Sequence, residues 1–121
     1  MDGSRMLQVA SILLLLTAGG GIVMALQRLG GDKNPSSSIA MAHGFLAASA
    51  FTLLIYDLFV FGLGTAATFG LILLALAASG GVVMNLAYHL ADKLIPKWLL
   101  HVHIGLGVVG TLLILWEAWG R

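Results

Sequence analysis

His43 and His103 stand 60 residues apart, each inside a long apolar segment. Imidazole is the commonest metal ligand among side chains and changes charge near neutral pH. Two imidazoles at matched positions would clamp one flat, metal-bearing cofactor from its two faces. A second matched pair, Asp57 and Glu117, follows the histidines by 14 residues. Fourteen helical residues return to nearly the same face about 21 Å further along. There the carboxylates are candidate proton acceptors, or hydrogen-bonding groups for a quinone, with snorkelling to the interface as the plainer reading.

The elements that must position these groups are set by composition. Of 121 residues, 60% are hydrophobic and 9% charged, with a mean hydropathy of +1.02. A soluble domain carries about a quarter charged residues, so the chain reads as an all-α integral membrane protein. A spanning helix needs roughly 20 apolar residues. Four stretches meet that length: Met6–Leu29, Ile39–Leu63, Thr65–Leu90 and Trp98–Trp119. The first runs too long for the apolar core of a signal peptide. The lack of cysteine excludes disulfides, iron–sulfur clusters and thiolate metal sites. A net charge of +1 gives no argument for nucleic acid.

Shifting the sequence by 60 aligns 12–59 with 72–119 without a gap, and 15 of these 48 positions are identical. Gly20/Gly80, Gly21/Gly81, Met24/Met84, Asp32/Asp92, Lys33/Lys93 and His43/His103 are among them. The chain therefore reads as two parallel helical-hairpin repeats, about 6–63 and 65–119, in one transmembrane domain. Each unit holds two spans, so both copies enter the membrane in the same sense. The short connections predict an up-down-up-down bundle. Arg28, Lys33, Lys93 and Lys97 flank the first and third connections, against Arg5 and Arg121 on the other side. The positive-inside rule then places both connections in the cytoplasm, in a bacterial or archaeal inner membrane.

Small residues surround the histidine pair. Four and seven positions after His43 stand Ala47 and Ala50; after His103 stand Gly107 and Gly110. These lie within about 40° of the histidine direction. A porphyrin between helices needs such strips, although membrane helices also pack through small residues. Gly20 and Gly80 precede Met24 and Met84 by four, which suggests helices approaching cofactor edges with thioethers against a conjugated ring. His101 points about 200° from His103, so it and His89 read as interfacial, with a second haem or a metal contact as the alternative. Arg28, Lys33, Lys93 and Lys97 are candidate partners for haem propionates.

On these residues the chain resembles a small four-helix membrane cytochrome of the b type. Its plan is also similar to one half of haem A synthases. The resemblance implies one haem b with His43 and His103 as axial ligands on the second and fourth helices. In haem A synthases an acidic residue precedes the histidine and an arginine follows it, where Ala40 and Gly44 stand here. No HExxH, GxSxG or phosphate loop is present. The expected function is electron transfer without catalysis, beside a larger membrane redox complex or as a homo-oligomer, with quinone a candidate partner. Two other readings stand: an accessory subunit without a redox centre, and a copper-handling or transport protein using His43, His103, Met24, Met41 and Met84.

Overall fold

A computed structural model of the chain describes residues 1–120; Arg121, one of the charges used above for orientation, lies outside them. The described residues form four helices: α1 (Gly3–Leu29), α2 (Ser37–Val60), α3 (Thr65–Val83) and α4 (Lys97–Trp119). α3 continues into a π-helical turn, Met84–His89. All four are long and apolar enough to cross a membrane. The chain is an integral membrane protein, and the four expected spans coincide with its helices to within three residues at every end once the π turn is counted with α3.

Local chemistry sets the helix ends. The Asp2 side chain caps α1, accepting from the Arg5 amide at 2.9 Å, which satisfies one of the donors that a helix start leaves orphaned. α2 closes where the Gly62 amide reaches back to the Asp57 carbonyl at 2.9 Å. That closure needs a left-handed residue, and Gly62 has φ of 81°. After the π turn, Asp92 takes φ of 54°, a conformation that aspartate tolerates better than most side chains. Pro35 and Pro96 lie in the connections, where no helical amide is lost.

α1 packs closely along α2, and α3 along α4; α1 also lies against α4, whereas α2 barely touches α3. One core joins all four helices, with Leu7, Leu14, Leu54, Leu71, Leu74 and Ile114 buried together. Leu54 and Ile114 are fully buried and stand eleven residues beyond the two histidines. A smaller cluster of Met84, Ile95 and Leu100 fills the end near the 90–96 connection. Ile12, Leu16, Leu26, Phe45, Phe59 and Leu112 remain half or more exposed, which suits lipid as the surrounding solvent.

Polar ties pin the pairs of helices at both ends. Near the longer connections, Arg28 Nε donates to the Ile95 carbonyl at 2.9 Å, and Asn34 bonds both Lys93 O and Ile95 N. At the other end Trp119 Nε1 donates to Ser11 Oγ at 2.9 Å, and Gln8 Nε2 to the Ala118 carbonyl.

Gly110 sits where α4 crosses α3: a Cβ there would stand 2.9 Å from Leu74 Cγ and 3.1 Å from the Gly70 carbonyl. Gly110→Leu is expected to destabilise the bundle by about 1–3 kcal/mol through overpacking. Gly105→Ala, which meets nothing within 4 Å, should leave stability unchanged or slightly raised. Thermal unfolding in detergent measures both.

Candidate functional site

The histidines of α2 and α4 meet in an edge contact, with ring centroids 6.2 Å apart and planes crossing at 63°. His43 Nδ1 lies 2.8 Å from the Thr17 carbonyl of α1, and His103 Nδ1 lies 2.7 Å from the Ala77 carbonyl of α3. A carbonyl only accepts, so each Nδ1 carries the ring proton. Each Nε2 then keeps its lone pair, and among the described residues neither has a hydrogen-bond partner. A metal-ligating histidine presents the same arrangement, with one nitrogen tied to a carbonyl and the other free to coordinate.

The double glycines make these bonds accessible. Residues three and four beyond a helical carbonyl normally screen it from outside donors. Beyond Thr17 these are Gly20 and Gly21, and beyond Ala77 they are Gly80 and Gly81. A Cβ on Gly21 would stand 3.1 Å from His43 Cε1, and one on Gly81 would stand 3.3 Å from His103 Cε1. Sequence reasoning assigned Gly20 and Gly80 to cofactor edges; the structure places both pairs against the imidazoles themselves. The carbonyls of Thr17 and Ala77 were missed, because every residue has one. The glycine pair that uncovers each was the available signal.

The layer around the imidazoles differs from those above and below. Gly20, Gly21, His43, Ala47, Gly80, Gly81, His103 and Gly107 are all only partly buried, and a Cβ on Gly107 would meet nothing within 4 Å. No interlocked leucine layer separates the rings. Ala50 and Gly110, also expected beside a cofactor, are buried, Gly110 against Gly70 and Leu74 of α3. Met84 joins the Ile95–Leu100 cluster, while Met24 is half-buried.

These features fit a bis-imidazole metal site. Metal–imidazole bonds of about 2 Å each require ring centroids on the order of 6 Å apart. Among the described residues no group of three or more His, Asp or Glu side chains could hold a metal ion. Two protein ligands alone would leave a bare ion undercoordinated, so such a site would need further donors from a cofactor. A tetrapyrrole supplies four.

The other sequence candidates are dispersed. Arg28 is buried and bonds the Ile95 and Gly31 carbonyls, which makes it a clasp between connections. Lys33, Lys93 and Lys97 are exposed. His101 is exposed and bonds Lys97 O at 2.6 Å, and His89 is half-buried at the end of the π turn. Asp57 and Glu117 come together at the other end of the bundle. Neither snorkels freely. Asp57 is 2% exposed, and Glu117 accepts from the Gly64 and Ala67 amides at 2.9 and 3.2 Å, capping α3.

The chain matches no protein-family model, no curated protein and no solved structure.

Gly21→Leu should displace His43 from Thr17 and leave His103 in place, and Gly81→Leu should do the reverse. Nitrogen-15 NMR of histidine-labelled protein in micelles reads this directly, as loss of one protected Nδ1–H resonance in each variant.

Proposed function

We propose that the chain is a membrane electron-transfer subunit holding one haem b between His43 and His103. The observation that carries this reading is the pair of carbonyl-anchored imidazoles, 6.2 Å apart and each with Nε2 free. When bound, haem b supplies an iron that takes up and returns one electron. The Thr17 and Ala77 carbonyls hold each ring in the ligating tautomer, and Gly21 and Gly81 fix its place. With His43 and His103 both ligating, no coordination position would remain for oxygen, so the function is relay rather than oxygen chemistry. The apolar layer of Leu54 and Ile114 separates this centre from the carboxylate end and keeps its surroundings dry.

The same reading covers the architecture: an up-down-up-down bundle of two parallel hairpin repeats. Its support is the recurrence of equivalent contacts at a spacing of 60, in Thr17–His43 and Ala77–His103 and in buried Leu54 and Ile114. The electron partner is membrane quinone or a larger redox complex in the inner membrane of a bacterium or archaeon. Copper handling is less well supported, because Met84 is taken up by an apolar cluster and two nitrogens make a sparse site.

Purified protein in detergent should show the optical spectrum of a low-spin b-type haem, lost in His43→Ala and in His103→Ala but kept in His101→Ala. A colourless wild-type protein, expressed with haem supplied, overturns the assignment. The cysteine-free sequence also allows a topology test. Lys33→Cys and Lys93→Cys should label only from the cytoplasm and Thr65→Cys only from outside; labelling of all three from one side contradicts the up-down arrangement.

A further inference from the structure

Asp57 is the one buried side chain whose polar atom lacks a partner: among the described residues its Oδ1 is enclosed and accepts no hydrogen bond. It stands in the wall of a cleft of about 590 Å³, where α1 and α3 begin and α2 and α4 finish. That volume lies within the range of about 300–1,000 Å³ typical of small-molecule sites. Gln8, Phe61, Glu117 and Trp119 also line it. A buried acceptor without a donor costs stability, and so calls for an explanation.

The comparison with Glu117 supplies one. The two carboxylates follow their histidines by the same 14 residues, yet they do different work. Glu117 caps α3 through two amides. α1 is already capped by Asp2, so Asp57 has no such task. Its Oδ1 lies beside the first turn of α1, 2.8 Å from where a Cβ on Gly3 would stand. The positive end of the α1 dipole thus offsets its charge, while its hydrogen-bonding capacity stays unused. The unused acceptor takes a hydrogen-bond donor. Phe61 and Trp119 offer aromatic walls at the membrane edge.

We propose that this cleft binds the headgroup of a lipid-soluble hydroquinone, with one ligand hydroxyl donating to the Asp57 carboxylate as that side chain turns toward the cleft it lines. The binding claim stands on the cleft alone; its redox meaning rests on the electron-transfer reading above. Glu117 serves α3, and Asp57 is the recognition residue.

Anaerobic calorimetric titration of the full chain in detergent with tetramethylhydroquinone tests this. Wild type should bind saturably, and the dimethyl ether, which has no hydroxyl to donate, should bind roughly tenfold or more weakly, as loss of a charge-assisted hydrogen bond implies. Asp57→Leu should abolish saturable binding while raising the melting temperature, because it removes an unsatisfied buried acceptor. A purely structural Asp57 would instead lower the melting temperature on substitution. Equal affinity for hydroquinone and ether, or no saturable binding to wild type, overturns the proposal, and the ether comparison needs no variant to fold. Binding should persist in His43→Ala. A haem-loaded protein without hydroquinone binding sinks the cleft alone, and a colourless protein that binds upholds the cleft while the haem reading falls.

Discussion

The bond from each imidazole Nδ1 to a backbone carbonyl of the neighbouring helix is the interaction on which the rest of the molecule turns. An imidazole inside a bilayer has no water to satisfy it, and an unpaired polar group there costs several kcal/mol. Donation to Thr17 O and Ala77 O meets that need. It also decides the tautomer, and so leaves Nε2 with its lone pair. The same bonds tie α2 to α1 and α4 to α3 at one depth. The pairing of the helices and the tautomer of both rings therefore depend on one pair of contacts, which are tightest at Gly21 and Gly81, where a Cβ would stand 3.1 and 3.3 Å from the imidazole Cε1.

Around that layer the structure divides its work by depth. Interlocked leucines, alanines and glycines below the histidines hold the four helices together. Above them Arg28 and Asn34 join the 30–36 and 90–96 connections, through backbone carbonyls and one amide rather than ion pairs. The buried guanidinium of Arg28 sits in the last turn of α1, where the helix end carries partial negative charge. The layer between is left loosely filled. Small side chains there sacrifice packing that Leu or Ile would provide, a trade expected where a ligand must enter.

Much of this was legible in the sequence. Length and hydropathy alone located the four helices, because a bilayer dictates how long an apolar helix must be. The spacing of 60 paired the histidines and the carboxylates, and the structure brings both pairs together. Side-chain neighbours were less legible. Ala50 and Gly110 shared a helical face with their histidines, yet seven residues is over 10 Å of rise, enough to move them into the packing core. Gly20 and Gly80 were read against a cofactor because sequence carries no direct sign of an exposed carbonyl. Asp57 and Glu117 looked equivalent. Their divergence depends on how α1 and α3 begin, with Asp2 capping the first and Glu117 the second, which only three-dimensional packing reveals.

The central claim is that two histidine nitrogens from α2 and α4 bind one iron. Pulsed EPR of the oxidised protein, with histidine labelled by nitrogen-15, measures this most directly. The account predicts a low-spin ferric centre coupled to two near-equivalent histidine nitrogens. Coupling to a single histidine, or a high-spin centre with none, would contradict it.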